Sequence, residues 1–143
     1  MFTKKEIELA PKVNEILTKL GWEWIPEMGE WCIYGFGVLG LVIGVRGKQW
    51  LNISDYGYEL HRDSAYPILQ WEKIEEILEK LGYSVEIKNI YYFYDKYEFV
   101  ISQQYSNFKT IEERAKTRQE AVMKAVTKLG KEKVVSEGEG NKK

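Results

Sequence analysis

The chain has 143 residues, 44% of them hydrophobic, and its 21 Lys and Arg against 22 Asp and Glu leave a net charge of −1. This length favours one globular domain, and the charge balance excludes a function that depends mainly on a polybasic arm. A single cysteine excludes a disulfide framework and a cluster of cysteine metal ligands within one chain.

The N-terminal residues and the most apolar segment predict a protein of the reducing cytoplasm with no membrane partner. Acidic residues and Pro11 interrupt the apolar run that a signal peptide needs. The most apolar stretch, residues 33–45, contains four glycines and is shorter than the roughly 20 residues that span a bilayer. The unpaired cysteine agrees with a reducing compartment.

The first residues predict a short turn followed by a helix. Thr3 and Glu6 have the spacing of a capping box, but Pro11 would remove a hydrogen bond deep inside a helix that starts there. We therefore predict a turn over residues 3–8 and a helix from about residue 10 to residue 20, whose apolar residues recur every three or four positions.

Residues 22–60 predict an antiparallel meander without helix. Short segments rich in β-branched and aromatic residues alternate with turn residues along this whole region. The predicted strands are 22–25, 30–34, 38–45 and 49–53.

Pro67 opens the clearest helix of the chain, which is predicted over about residues 68–81. Its apolar residues fall within an arc of roughly 120°. Two strands follow, 83–94 and 97–103, and the turn between them is predicted around Asp95 and Lys96.

Residues 104–116 leave two alternatives open, the start of a long helix or a third strand over residues 108–116 at the edge of a sheet. We favour the strand, because Thr117 and Glu120 repeat the capping-box spacing where a new helix would start. That helix is predicted to end near residue 130.

The order of these elements predicts an α+β fold, in which antiparallel sheets pack against about three helices as a two-layer or an α-β-α sandwich. We predict a single α+β domain over residues 1–130. The polar, glycine-containing residues 131–143 are predicted to form a disordered tail.

Two strings in the sequence copy parts of nucleotide-linked motifs. Residues 35–40 match G-x-G-x-x-G, but a strand follows where the dinucleotide fold needs a helix, so we interpret these glycines as sites where strands bend or pass closely. Residues 61–63 copy three letters of a kinase catalytic loop in a chain too short to hold the other kinase motifs.

No group of reactive side chains predicts catalysis. Cys32 and His61 are the only soft metal ligands, and Cys32 lies in an apolar strand where cysteine behaves as a small buried hydrophobe. The carboxylates of the predicted helix 68–81 alternate with lysines, which is typical of a solvated face. The sequence therefore predicts no catalytic residue, no cofactor, no metal site and no enzyme.

Aromatic residues are unusually frequent, with 5 Trp, 10 Tyr and 5 Phe. Within residues 90–94, alternate side chains of a strand point to opposite faces. Either Tyr91 and Phe93 or Tyr92 and Tyr94 must therefore face away from the layer that covers the sheet. That face is either an exposed functional surface or a face that a third layer or a second subunit covers.

Exposed tyrosines are enriched in the centres of protein interfaces, and they also stack single-stranded bases. We predict protein–protein contact or self-association through the hairpin residues Tyr92, Tyr94 and Tyr97. Trp50 is a second candidate for the same interaction surface.

A nucleic-acid-binding module is the alternative function. The second half of the chain has the predicted order helix, three strands, helix, which is that of a double-stranded RNA-binding domain. Four lysines lie on one flank of the last helix: Lys116, Lys124, Lys128 and Lys131. Glu120, however, stands at the start of that helix, where phosphate would bind, and a nearly neutral chain gains little from counterion release, so nucleic acid is disfavoured.

Four segments resemble small uncharacterised phage and prophage proteins: Trp22–Pro26, Glu30–Trp31, the helix that Pro67 opens, and the helix that begins Thr117-x-x-Glu120. That resemblance implies an α+β sandwich and an origin in a mobile element, and it implies no activity. The functional prediction is a small intracellular, phage-like protein that is not an enzyme and acts through protein contacts.

Overall fold

The computed structural model describes residues 2–54, 56–92, 94–103 and 109–141, with the side chains of Tyr91, Tyr92 and residues 132–141 left aside. The helices are α1 (Lys4–Lys19), α2 (Trp71–Lys80) and α3 (Arg118–Asn141). The strands are β1 (Trp31–Tyr34), β2 (Val38–Arg46), β3 (Trp50–Ile53), β4 (Glu59–His61), β5 (Ala65–Ile68), β6 (Ser84–Tyr92), β7 (Asp95–Ser102) and β8 (Ile111–Ala115).

The chain divides into two units, each with its own antiparallel sheet. Unit 1 comprises residues 1–21 and 70–143, and unit 2 comprises residues 22–69. Unit 2 holds the five-stranded sheet β4-β3-β2-β1-β5, and unit 1 holds the three-stranded sheet β6-β7-β8 with all three helices. The predicted α+β class with antiparallel sheets is confirmed, while the boundary between a domain over 1–130 and a tail stays a prediction.

Unit 2 contains a five-stranded sheet and a small apolar core. Strand β2 pairs with β1 along its first half and with β3 along its second half, and a bulge between Val42 and Gly44 separates the two halves. The core cluster between them consists of Trp24, Cys32, Val42, Leu51 and Ile53. The predicted strands 30–34, 38–45 and 49–53 are confirmed as β1, β2 and β3, whereas residues 22–25 form no strand and β4 was not predicted.

Pro67 lies in a strand and not at the start of a helix, so the predicted helix start at residue 68 is wrong. It is paired with Cys32 in β5, which is an edge strand where a residue without an N–H is tolerated. Helix α2 begins four residues later, and the backbone N–H of Trp71 donates to Oε1 of Gln119 at 2.7 Å. A side chain of α3 therefore caps α2.

Helix α1 begins at Lys4 and contains Pro11, so the predicted turn over residues 3–8 is also wrong. The capping box itself is present, since Thr3 and Glu6 exchange two hydrogen bonds of 3.2 Å. Pro11 costs the helix one hydrogen bond, roughly 3 kcal/mol with its ring clash. Burial of four apolar side chains outweighs that cost at about 1.5–3 kcal/mol for each large one: Ala10, Val13, Ile16 and Leu17.

Tyr92 of β6 is paired with Asp95 of β7, so Asp95 and Lys96 lie in a strand and not in the turn. The predicted turn at Asp95 and Lys96 is therefore wrong. Strand β8 pairs with β7 along its whole length and forms an edge of the sheet, which confirms the strand alternative for residues 111–115, while residue 108 lies outside the described residues.

Helix α3 continues to Asn141, well beyond the predicted end near residue 130. Gly130 is not a helix terminus here. A Cβ atom at this position would lie 2.5 Å from Cδ1 of Ile16, so glycine is needed where α1 packs closely on α3.

Candidate interaction surfaces

Exposed apolar side chains are concentrated in unit 2. Among the described residues, nine large hydrophobic side chains are exposed, and eight of them belong to unit 2: Ile25, Met28, Phe36, Val38, Ile43, Val45, Tyr56 and Tyr58. The ninth is Tyr94 in unit 1. A single exposed apolar residue is ordinary, and an interaction surface is indicated where several such residues lie side by side.

Three tyrosines of unit 2 form a row of edge-to-face rings, which we call the aromatic row: Tyr34, Tyr56 and Tyr58. The ring centroids of Tyr34 and Tyr56 are 5.2 Å apart, and those of Tyr56 and Tyr58 are 6.1 Å apart. Tyr34 packs against the core, whereas Tyr58 is 76% exposed. The row therefore leads from the core edge of unit 2 into solvent, with Val38 directly opposite Tyr34 on β2.

The glycines of the G-x-G-x-x-G string form the turn between β1 and β2 and allow close packing beside Tyr34. Gly35 and Gly37 have φ of +59° and +91° in the turn between β1 and β2, where Phe36 is fully exposed. A Cβ at Gly40 would overlap Ile53 and lie 2.9 Å from the ring of Tyr34. The interpretation of these glycines as sites of close strand approach is confirmed at Gly40.

Trp50 lies in unit 2 on the sheet face opposite the core, in a polar cluster. The guanidinium of Arg46 lies 5.3 Å from the centre of its ring, and the ring of His61 meets it edge-on at 5.1 Å. Arg46 also donates to the carboxylate of Glu59 at 2.7 Å, which lowers the pKa of that carboxyl. Its neighbours thus cover part of Trp50.

The residues of the kinase-like string hold local structure together. Nδ1 of His61 accepts from the N–H of Asp63 at 3.1 Å, which caps the 3-10 turn Arg62–Ser64. Arg62 donates to the carbonyl of Trp24 at 3.1 Å and forms an ion pair with Glu23 at 2.7 Å. These contacts fix the segment that enters unit 2.

Cys32 and His61 are not brought together. Cys32 is fully buried in β1, and burial, with a further contribution from the charge of Glu30, raises the pKa of its thiol to about 11. His61 lies in β4, which two strands separate from β1, and is paired with Trp50 on the other sheet face. Such a thiol stays protonated at neutral pH and is a poor nucleophile.

The predicted tyrosine hairpin belongs to unit 1, so it is in a different unit from Trp50. Tyr94 is 79% exposed in the turn. Tyr97 is half-buried, and the guanidinium of Arg118 lies 4.6 Å from the centre of its ring. The side chain of Tyr92 lies outside the described residues, so its part in the predicted surface stays a prediction.

Unit 1 carries a basic groove of about 450 Å³, which we call the lysine groove. Its lining residues come from α1, α3 and β8: Lys5, Leu9, Glu113, Lys124, Thr127, Lys128 and Lys131. Nζ of Lys124 donates to the carbonyl of Arg114 at 2.8 Å, and the carboxylate of Glu113 lies 3.9 Å from both Lys124 and Lys128. The sequence placed three of these lysines on one flank of α3, but Lys5 joins them only because α1 packs on α3.

The chain matches no protein-family model, no curated protein and no solved structure. Within the described ranges, no helix is both long and apolar enough to cross a membrane. The same part of the chain contains no group of three or more His, Cys, Asp or Glu side chains placed to hold a metal ion.

Proposed function

We propose that this protein is a non-enzymatic binding module that contacts a protein partner through the aromatic row of unit 2 and the apolar side chains beside it. The observation that carries the proposal is the concentration of exposed hydrophobic side chains in this one unit. Tyrosine supplies a large contact area and a hydroxyl at a low entropic cost, and it is enriched where protein interfaces gain most of their binding energy.

The charge of unit 2 favours a protein over a nucleic acid as this partner. Residues 22–69 contain three Lys and Arg against six Asp and Glu, a net charge of −3. A phosphate backbone is repelled by such a unit and releases no counterions on contact with it. The origin in a phage or prophage that the resemblance implies stays a prediction.

Two tyrosines of nearly equal exposure, one in each unit, provide a matched test. Tyr58 is 76% exposed in unit 2, and Tyr94 is 79% exposed in the predicted hairpin of unit 1. The proteins that co-purify with the wild type from the native host are to be compared, by quantitative mass spectrometry, with those of Tyr58→Ser and Tyr94→Ser. Each interaction is then measured with the purified partner.

We expect Tyr58→Ser to weaken the binding of a partner by about tenfold or more, as loss of an interface anchor does, and Tyr94→Ser to leave it unchanged. Loss of binding in Tyr94→Ser alone would favour the tyrosine hairpin and contradict the proposal for unit 2. Unchanged binding in both variants would contradict protein contact through either surface.

The lysine groove favours a second candidate function, nucleic-acid binding by unit 1. Four lysines face one carboxylate in a groove, and such local excess positive charge attracts phosphate although the whole chain is nearly neutral. The elements α2, β6, β7, β8 and α3 follow one another in the order expected for that function.

Salt dependence tests this second candidate. We expect protein purified at low salt to retain nucleic acid that absorbs at 260 nm, and the retained amount to fall steeply as salt rises. Replacement of Lys128 and Lys131 by Gln should abolish retention. Replacement of Lys73 and Lys80 by Gln on α2 makes the same change in net charge and should leave retention unchanged. Equal loss of retention in both double variants would contradict a role for the groove.

A further inference from the structure

Strand β6 is the longest of the four edge strands in the described structure, and Glu86 and Lys88 are its only charged residues. Edge strands expose unpaired N–H and C=O groups, and proteins usually shorten, charge, interrupt or cover them. Strand β4 has three residues, β5 contains Pro67, and the carbonyl of Arg114 in β8 accepts from Lys124. Strand β6 has nine residues, contains no proline and pairs only with β7.

The outer edge of β6 is open along its regular part. Residues 84–89 pair with β7 without interruption, and the register shifts only beyond Asn89. None of the hydrogen bonds among the described residues joins these six residues to any segment other than β7. Their outward-facing backbone groups are therefore available to another strand.

The sequence of β6 selects a second copy of itself as that strand. Two identical edges pair in an antiparallel manner about a two-fold axis, so that one residue lies opposite its own copy. With Ile87 at the axis, Glu86 lies opposite Lys88 of the second copy on both sides of the axis. With Glu86 or Lys88 at the axis, two like charges meet, and with Val85 or Asn89 at the axis, neither charge has an opposite charge across from it.

Charged residues of alternating sign continue across the neighbouring strands β7 and β8. On the face of the sheet that carries Lys88, this residue is paired with Glu98 of β7, and Glu98 is paired with Arg114 of β8. The Arg114 guanidinium lies 2.8 Å from the carboxylate of Glu98, which is only 8% exposed. In the register centred on Ile87, Glu86 of the second copy continues this alternation of positive and negative charge past Lys88.

We propose that the protein forms a symmetric dimer in which β6 pairs with β6 of a second copy, with Ile87 at the two-fold axis, to give a continuous six-stranded sheet. This interaction concerns unit 1 and a second copy of the chain, so it is independent of the contact proposed for unit 2. Backbone hydrogen bonds supply affinity in such strand addition, and the two Glu86–Lys88 pairs fix the register.

Charge reversal on the two edges of the same sheet is the first test. Glu86 on β6 and Glu112 on β8 are both exposed and are both paired with Val100 of β7. Sedimentation velocity over a wide range of concentrations should show a dimer for the wild type. The dimer should dissociate about tenfold more readily in Glu86→Lys, where two attractions become two repulsions, and no more readily in Glu112→Lys.

Mixing two variants tests the register itself. Glu86→Lys and Lys88→Glu each place like charges opposite one another in their own dimers, but in a mixed dimer every pair is again opposite in charge. We therefore expect the mixture to dimerise more strongly than either variant alone. Thermal melting of each variant shows whether it is folded, which is required because Lys88 also faces Glu98.

A cysteine at the two-fold axis gives a test that does not depend on charge. Directly opposite residues have Cα atoms about 4.5–5.5 Å apart, which a disulfide spans. Ile87→Cys should therefore form a disulfide-linked dimer on mild oxidation. Asn89→Cys should not, because its own copy would lie about 13 Å away along the strand, and the native Cys32 is fully buried.

A wild type that remains monomeric at all concentrations would overturn the proposal. So would a dimer that Glu86→Lys and Glu112→Lys weaken equally, or that Asn89→Cys crosslinks as readily as Ile87→Cys. A dimer that is lost in Tyr58→Ser and retained in Glu86→Lys would assign self-association to unit 2 instead.

Discussion

The two units use polar and apolar side chains in opposite ways. The buried polar residues among those described, Glu6, Glu98 and Gln119, all belong to unit 1. Unit 2 buries an apolar cluster and exposes eight of the nine large hydrophobic side chains that are exposed. Unit 1 therefore adds buried polar contacts to its apolar core, whereas the buried residues described in unit 2 are all apolar.

This difference indicates where each unit is available for binding. In unit 1, Glu6 accepts from Thr117 at 3.0 Å, just before α3, and Gln119 caps α2, so these polar groups are occupied within the fold. In unit 2, by contrast, Phe36 is fully exposed and Tyr58 is 76% exposed. An apolar surface favours a partner that removes it from water, whereas charged groups at an edge or groove favour a partner of complementary charge.

The largest expected effect concerns close packing in unit 2. We predict that Gly40→Ala lowers the free energy of unfolding by about 2–3 kcal/mol, because the new Cβ overlaps Ile53 and the ring of Tyr34. Gly57→Ala is the control, since a Cβ there has open space and ordinary φ. Chemical denaturation gives the free energies, and hydrogen exchange should locate the loss of protection in residues 22–69. Equal effects of the two variants would contradict the packing argument.

The next effect concerns buried polar contacts in unit 1. Glu6→Ala should lower the free energy of unfolding by about 2 kcal/mol, because it leaves the N–H of Thr3 and the hydroxyl of Thr117 without their acceptor. Glu6→Gln keeps an acceptor oxygen and should cost less. If Glu6→Ala proved neutral in denaturation experiments, the polar link between α1 and the start of α3 would not stabilise unit 1.

A smaller effect concerns close packing in unit 1. Such packing is therefore not confined to unit 2. Gly130→Ala should cost about 1 kcal/mol, although alanine is the better helix former, because its Cβ would lie 2.5 Å from Cδ1 of Ile16. The double variant with Ile16→Ala should be no less stable than Ile16→Ala alone, since the removed side chain makes room. Strictly additive losses would contradict this contact.

The two units also differ in how well the sequence predicts them. Strands β1, β2 and β3 of unit 2 and strand β8 follow from local pattern, because turn residues and β-branched residues act over a few positions. Pro11 and Pro67 were misinterpreted for a common reason. Each has a local cost that tertiary context offsets, by burial of the α1 face in one case and by an edge position in the other.

The surfaces were harder to predict than the elements. Tyrosine is densest at residues 90–97, whereas the aromatic row joins Tyr34 of β1 to Tyr56 and Tyr58, more than 20 residues later in the sequence. The lysine groove likewise needs Lys5 from the first helix. Turns of the chain and packing of helices bring the members of such groups together from distant segments. The alternation and spacing of residue types within one segment do not predict them.

The smallest expected effect concerns the charged surface of α2. Burial, together with the nearby carboxylates of Glu79 and Glu72, raises the pKa of the half-buried Glu75. The native state therefore holds this proton more tightly than the unfolded chain, and stability is lost as pH rises through the unfolded and then the folded pKa. Glu75→Gln removes that loss, so it should be more stable than the wild type at neutral pH by about 0.5 kcal/mol or less, with no advantage in acid.

The pKa of Glu76, at the next position, is shifted in the opposite direction from that of Glu75. A hydrogen bond from Lys80 and the charge of Lys73 lower the pKa of Glu76, so its ionised form stabilises the native state above the unfolded pKa. Glu76→Gln should therefore lower the thermal midpoint at neutral pH and not in acid, while Glu75→Gln raises it. Midpoints of both variants across pH test this pair of signs. A shift in the same direction for both would mean that the net charge of α2, and not the surroundings of each carboxylate, determines the stability of this surface.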